Sequence, residues 1–394
     1  MFARRLPGSL APNRLAGAIA AMRAAGRPFI DLTESNPTRA SFDYPADVLL
    51  PLGDAAARSY APSPLGAPTA RAAVSGEYAR QGLTVPADRI VLTSSTSEAY
   101  SWLFKLLADA GDEVLVPRPS YPLFEHLTQL DLVSARPYDL EYHGVWSIDF
   151  ATVEGALTPR TRAVLIVSPN NPTGSFVSAE DLDRLAGLCA PRGIAIVADE
   201  VFADYELEAG AASAAGRVLA RNDVLSFGLG GLSKTVGLPQ MKLAWMGVGG
   251  PAPLVSAALE RLEIIGDAYL SVSTPVQVAA PLLLQRGAHV RRQIAERVAG
   301  NYRIVRAAAE AVPSIGVMRS EGGWYSVLQV PSFDSEEDLV LSLLDQDGVL
   351  THPGYFFDFP RESFLIVSLL PPRPEFSAGI ERVLRHFTCK VAKP

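Results

Sequence analysis

Four short segments of this 394-residue sequence carry residue types that could do chemistry, and each follows an apolar run. Thr93-Ser94-Ser95-Thr96-Ser97-Glu98 is rich in hydroxyls and leads into helical sequence. Free backbone N–H groups at a helix start, the helix dipole and nearby hydroxyls suit a phosphate, although plain N-capping uses the same residues. Ser168-Pro169-Asn170-Asn171-Pro172-Thr173-Gly174 has the composition of a turn and also sets an amide at the end of an apolar run. In Ala198-Asp199-Glu200 a carboxylate directly follows Ile194 to Val197, which predicts a buried Asp199. A buried carboxylate needs a partner, and Arg, Lys or a protonated heterocyclic nitrogen would each serve. Lys234 lies in Gly228-Leu229-Gly230-Gly231-Leu232-Ser233-Lys234-Thr235, a small-residue loop where desolvation would depress the pKa of an amine and make it nucleophilic. Nucleotide motifs fail here, because Ser233 stands where a P-loop requires Gly before Lys and where Gly-x-Gly-x-x-Gly requires its last Gly.

The elements that must position these segments alternate. Apolar runs at 90–93, 113–116, 163–167, 194–197, 224–227 and 243–246 read as strands hidden on both faces of a parallel sheet, with helices at 97–107 and 178–189 between them. Such alternation predicts an α/β fold with a mostly parallel, doubly wound sheet, whose ligands bind beyond the carboxyl ends of the strands. After Gly250 the pattern changes to long helices at 254–265 and 274–312. Strand-like 324–328 and 365–368 then mix with helical 335–346 and 375–386, which predicts a smaller α+β domain. The expected division is an N-terminal arm over 1–45 contributing to the small domain, a large domain over 46–285 and the small domain over 286–394. The arm is expected to hold a short helix from Asn13 to Ala25; its arginines Arg4, Arg5, Arg14, Arg23 and Arg27 lack the hydrophobic centre of a signal peptide.

Composition removes other classes. The chain has 48% hydrophobic and 20% charged residues and a formal net charge of -7, which argues against a polyanionic partner such as nucleic acid. Cys189 and Cys389 lie far apart without the spacing of a zinc site or a disulfide framework, and no apolar run reaches the length of a membrane span. A soluble, cytoplasmic protein is expected.

Order and spacing then carry a resemblance. Asn171-Pro172-Thr173-Gly174, about thirty residues later Asp199-Glu200, and about thirty-five later Ser233-Lys234-Thr235 before Gly237-Leu238-Pro239, resemble the pyridoxal-phosphate-dependent aminotransferases of fold type I. The likeness extends to the segment Tyr60 to Gly66, to Pro117-Arg118-Pro119-Ser120-Tyr121-Pro122 and to His352-Pro353-Gly354. It implies pyridoxal 5'-phosphate held as a Schiff base on Lys234, which would also shuttle the substrate proton, and Asp199 paired with the pyridinium nitrogen. It further implies that Asn171 bonds the cofactor's phenolic oxygen and Tyr121 stacks on its ring, while Ser95, Thr96, Ser233 and Lys242 hold the phosphate. Tyr60 would reach the phosphate of a neighbouring subunit, giving a homodimer with shared active sites. The implied activity is transfer of an amino group from a small amino donor to a 2-oxo acid by a ping-pong route. The same chemistry also admits a β-lyase, and a cofactor-binding protein with little turnover is a third reading.

Several positions depart from that pattern. Phe202 replaces the Tyr three residues after the aspartate, Lys242 replaces an Arg, and Gly231 a frequent Ser. The loss of one donor to the phenolic oxygen predicts a raised pKa of the lysine–cofactor imine unless Tyr205 or another group substitutes. The α-carboxylate clamp, an Arg two residues before a Ser in a late strand, is here Ile366 before Ser368. Arg373, Arg361 and Arg39 are the alternative cations, with Arg373 taken as the substrate-binding candidate beside Asn36. The segment Ser35-Asn36-Pro37-Thr38 reads either as a flap over the site or as a structural turn. Trp324, Tyr325 and the run Tyr355 to Phe357 read either as pocket lining or as core.

Overall fold

In the computed structural model, which describes residues 3, 5–7, 11–361 and 363–391, the apolar runs after Arg89 form the centre of an eight-stranded sheet. Arg4 and the Cys389 side chain lie outside the described residues. The strand order is Ile90–Thr93, Ala244–Gly249, Ser226–Gly231, Ala195–Asp199, Thr161–Val167, Glu113–Arg118, Ser134–Tyr142 and Trp146–Ile148. The strands 195–199, 161–167 and 226–231 are buried almost throughout, as expected of a sheet covered on both faces.

Two features of this sheet differ from the sequence expectation. The strand Ala244–Gly249 runs antiparallel to both neighbours, because residues 232–243 fold as a single helical turn and a 3-10 turn rather than as a crossover. The strands Ser134–Tyr142 and Trp146–Ile148 were not anticipated. They form an edge whose residues in 134–142 are mostly half-exposed or exposed, so no apolar run marks it.

Glycine lets the partner strands come close at the centre. A Cβ at Gly230 would lie 2.5 Å from the Trp245 indole nitrogen, its partner across the ladder. Gly237, at φ +67, takes the left-handed turn that follows Lys234, and its carbonyl accepts from the Tyr44 hydroxyl at 2.6 Å.

The C-terminal part is α+β, as expected. Its four-stranded antiparallel sheet orders Gly316–Val317, Tyr325–Gln329, Phe364–Ser368 and His352–Pro353, covered by the helix Arg373–Val391 and by the last part of the helix Thr274–Glu310. The expected arm helix is Arg14–Ala24, capped by the Asn13 side chain on Ala16 N–H at 2.8 Å. Beyond it Ile30–Asp31 pairs in parallel with Val349–Leu350, which ties the arm to the C-terminal part. The 37-residue helix Thr274–Glu310 passes unbroken through position 285, where the sequence division was drawn. Among the described residues no helix is long and apolar enough to cross a membrane, and no cluster of metal-ligating side chains occurs.

Candidate functional site

Strand register gathers the four chemical segments at one edge of the large sheet. Thr93, Ala244 and Gly231 are neighbours across three strands, so Ser94–Thr96, Lys242–Leu243 and Leu232–Lys234 leave the sheet side by side. Asp199 pairs with Val167 on one side and Leu229 on the other, which sets it between the Asn171 loop and the Lys234 loop.

Lys234 sits on the one-turn helix Leu232–Thr235, and the Tyr205 hydroxyl donates to its backbone carbonyl. Its amine makes no hydrogen bond or ion pair among the described residues. Instead it lies 4.8 Å from the Trp324 ring centre and 5.7 Å from that of Phe202. Burial pulls its pKa down to about 8, partly countered by the Asp199 charge. Asp199 is half-buried at its strand end rather than fully buried as expected, and desolvation pushes its carboxyl up to about 6. Hydrogen bonds from Val201 N–H and from the Tyr100 hydroxyl, both 3.2 Å, oppose that rise without neutralising the charge. A protonated ring nitrogen would give this carboxylate the cation it lacks at bonding distance.

The remaining expected contacts distribute as follows. Asn171 is buried in the loop after the strand Thr161–Val167; its side-chain oxygen, an acceptor, has no partner among the described residues, and its amide nitrogen makes no hydrogen bond among them and is free to donate. Tyr121 is 46% exposed, and its phenol is pushed up by desolvation and then by the Asp199 charge. Ser95 caps the helix Thr96–Leu107, accepting from Glu98 N–H at 3.1 Å, while Glu98 accepts from Ser94 N–H at 2.6 Å. That cap uses the Ser95 hydroxyl as an acceptor only, so its O–H remains able to donate to a phosphate. The Thr96 and Ser233 hydroxyls and the exposed Lys242 ammonium have no hydrogen-bond or ion-pair partner among the described residues and stand ready for an anion. These residues fit pyridoxal phosphate: a nucleophilic amine, a desolvated counter-charge for a ring nitrogen, an unpaired amide and a cationic, hydroxyl-lined helix start.

Other expected residues are not drawn in. Tyr60 is 73% exposed. The Asn36 side-chain oxygen accepts from the Thr38 N–H and hydroxyl and so caps the turn Pro37–Arg39. The Arg373 guanidinium donates to the Glu296 carbonyl and packs on Gly300, fastened to the helix Thr274–Glu310. Arg39 pairs with Glu34 at 3.2 Å, and Arg361 lies 5.6 Å from the Phe364 ring centre. Ile366 is fully buried in the C-terminal core. Tyr205 does not substitute for the missing tyrosine hydroxyl, since its own is spent on the Lys234 carbonyl.

Sequence reasoning missed Tyr100, whose hydroxyl reaches Asp199. The available signal was its place four residues after Thr96, one turn into a helix whose Ala99, Tyr100, Leu103 and Phe104 are buried. Trp324 against the Lys234 amine was left between pocket and core, and the structure makes it both.

Comparison with known proteins follows the same lines. The family model described as aminotransferase class I and II matches residues 28–374. The chain is 28% identical to the alanine aminotransferase of Mycobacterium bovis, over 92% of this chain and 86% of that one. It is 27% identical to the glutamate-pyruvate aminotransferase of Escherichia coli, over 92% and 91%. Among solved structures, an alanine aminotransferase from Pyrococcus furiosus superposes with a TM-score of 0.88 at 22% identity, covering 98% of this chain and all of the other. A Thermus thermophilus aspartate aminotransferase superposes with a TM-score of 0.84 at 23% identity, over 98% and 99%.

Proposed function

Given that this chain belongs to the class I and II aminotransferases and transfers amino groups with pyridoxal phosphate, we propose that Lys234 is the residue that carries that cofactor. In this reading the amino group moves from a small amino donor to a 2-oxo acid in two half-reactions at one site. The observation that carries it is the pairing at neighbouring strand ends of a half-buried, unbonded amine with a half-buried, desolvated carboxylate that has no cation bonded to it.

The lowered pKa leaves a share of the Lys234 amine neutral near neutral pH, able to attack an aldehyde and, once released by the donor, to take and return the proton of the reacting carbon. The bound cofactor supplies an electron sink for the carbanion left by that proton. Asp199 keeps the proton on the ring nitrogen, and Tyr100 orients the carboxylate by its hydrogen bond. Asn171 donates its amide to the phenolic oxygen, and Tyr121 covers a ring face. Ser95, Thr96, Ser233 and Lys242 hold the phosphate. Trp324 and Phe202 keep water from the amine.

The names of the alanine and glutamate-pyruvate relatives support a small donor. The exposure of Tyr60 supports a homodimer in which it completes the second subunit's phosphate site. A cytoplasmic enzyme agrees with the absence of a spanning helix among the described residues. The two-domain reading, with the arm joined to the small domain, is supported by the pairing of Ile30–Asp31 with Val349–Leu350. Borohydride reduction of the yellow protein followed by peptide mapping tests the assignment: a pyridoxyl label on Lys234 is expected, and a label elsewhere or none refutes it.

A further inference from the structure

We propose that Arg39, on the N-terminal arm, binds the carboxylate that the amino donor and the 2-oxo acid both carry on the reacting carbon. The inference rests on the aminotransferase reading and names the specificity contact of that same site. Both half-reactions bring a carboxylate beside the carbon that loses or gains nitrogen, so a single guanidinium facing the Lys234 amine serves both substrates.

The wall bordering that amine is one face of the C-terminal sheet. Tyr325 lies opposite Ser368, and Val327 and His352 lie opposite Ile366 from either side, so these side chains share a face. Trp324, next to Tyr325, has its ring centre 4.8 Å from the Lys234 amine. The sheet itself supplies no cation here. Ile366 is fully buried, and burial pulls the His352 pKa down to about 4, which leaves the imidazole neutral. Arg361 lies over the Phe364 ring, and Arg373 is fastened to the Glu296 carbonyl.

The arm brings the cation to this wall. Ser368 N–H donates to the Leu32 carbonyl at 2.7 Å, the Ser368 hydroxyl donates to the Glu34 carbonyl at 2.6 Å, and Tyr325 hydrogen-bonds Ser35. The Glu34 carboxylate, whose charge acts on the Tyr325 hydroxyl, accepts from Asn36 N–H at 2.9 Å and pairs with Arg39 Nε at 3.2 Å. That contact takes the side of the guanidinium and leaves its end open. The two terminal nitrogens of Arg39 have no hydrogen-bond or ion-pair partner among the described residues, and together they form a fork that meets a carboxylate through two parallel bonds. Glu34 therefore aims the fork without filling it.

The root of the Arg39 side chain is fixed while its tip is free. Asn36 caps the turn Pro37–Arg39, and the carbonyl of the buried Ala40 accepts from Arg297, which also donates to the Leu370 carbonyl just beyond Ser368. The Arg39 side chain is 67% exposed, so a solute can reach it. Losing a charge-assisted pair of this kind weakens a ligand by about tenfold or more.

The test compares cofactor-loaded wild type with Arg39→Gln and Arg39→Lys. L-Alanine and pyruvate are followed separately, each in a single turnover read from the cofactor spectrum. Calorimetry measures binding of 2-aminoisobutyrate, which has no proton on its reacting carbon and cannot turn over, and of tert-butylamine, in which a methyl replaces the carboxylate. Arg39→Gln is expected to raise KM for both L-alanine and pyruvate and to weaken 2-aminoisobutyrate, each by about tenfold or more, with tert-butylamine unchanged. Arg39→Lys should regain part of the loss, since it keeps the charge without the fork. Unchanged alanine and pyruvate KM values, or equal weakening of the two calorimetric ligands, overturns the proposal. So does a raised KM for 2-oxoglutarate with L-alanine and pyruvate untouched, which would set Arg39 at a side-chain carboxylate instead. Where the calorimetric ligands bind too weakly to measure, the two KM values decide; should Arg39→Gln fail to fold, Arg39→Lys decides by the same values. A missing label on Lys234 sinks the aminotransferase assignment itself, whereas a labelled enzyme indifferent to Arg39 sinks this proposal only.

Discussion

Replacing Asp199 by Asn should stabilise the cofactor-free protein at pH 8 while weakening its hold on pyridoxal phosphate. In the structure the carboxyl is half-buried with no cation bonded to it, and desolvation raises its pKa from an ordinary 3.8 to about 6. A folded state that binds the proton more tightly than the unfolded chain gains stability from this group below pH 4 and loses it as pH rises through 6. With about 1.4 kcal/mol per pH unit of displacement, the ionised carboxylate costs the cofactor-free fold ~3 kcal/mol at pH 8 and ~1.5 kcal/mol at pH 5. Asn is close in shape and carries no charge, so the variant removes that cost, less whatever is lost from the bonds to Val201 N–H and Tyr100. Urea unfolding of both cofactor-free proteins between pH 4 and pH 8 measures the difference. It should be small at pH 4, grow through pH 5 to 7 and level off above. A difference that does not change with pH, or a variant less stable than wild type at pH 8, would refute the idea that Asp199 is an uncompensated charge awaiting a cation. The loaded protein should show the opposite ranking, with the cofactor dissociating more readily from the Asn variant, because the pair with the ring nitrogen is gone.

Three further outcomes follow from the same geometry. Phe202→Tyr supplies the missing phenolic donor and should lower, by about one pH unit, the midpoint at which the loaded enzyme's visible absorbance changes; an unchanged midpoint would place the new hydroxyl out of reach. Tyr205→Phe removes the bond to the Lys234 carbonyl and should cost about 1 kcal/mol in urea unfolding, with loss of a larger amount pointing to a packing role instead. Co-refolding Lys234→Ala with Tyr60→Ala should restore activity that neither variant shows alone, because one site of the hybrid then holds both side chains; no recovery would rule out a shared phosphate site.

The family and the fold were legible because their signals are local. Runs such as 163–167 and 194–197 are buried and read as interior strands, and the order of Asn171, Asp199 and Lys234 along the chain carries the family resemblance. Strand direction was not legible: Ala244–Gly249 is as apolar as its neighbours, and only the compact turns of 232–243 send it backwards. The edge strand Ser134–Tyr142 escaped notice because a partly exposed strand carries mixed residues. At the site, residues just after strands could be anticipated, whereas those brought in by tertiary packing could not. Trp324 belongs to the C-terminal sheet and reaches Lys234 only through the docking of Gly322 and Gly323 against Gly174 and Tyr205. The vacancy left by Ile366 was visible from the motif, but that Arg361 and Arg373 are engaged elsewhere while Arg39 pairs with Glu34 beside the strand Phe364–Ser368 required the three-dimensional arrangement.

The bond from Tyr205 to the Lys234 carbonyl sets the mechanics of this residue. The main chain is moored at the root of the side chain, so the amine works like a boom on a fixed mast. Its excursions are confined to rotations about the four-carbon stem, and the arc it sweeps is decided before any substrate arrives.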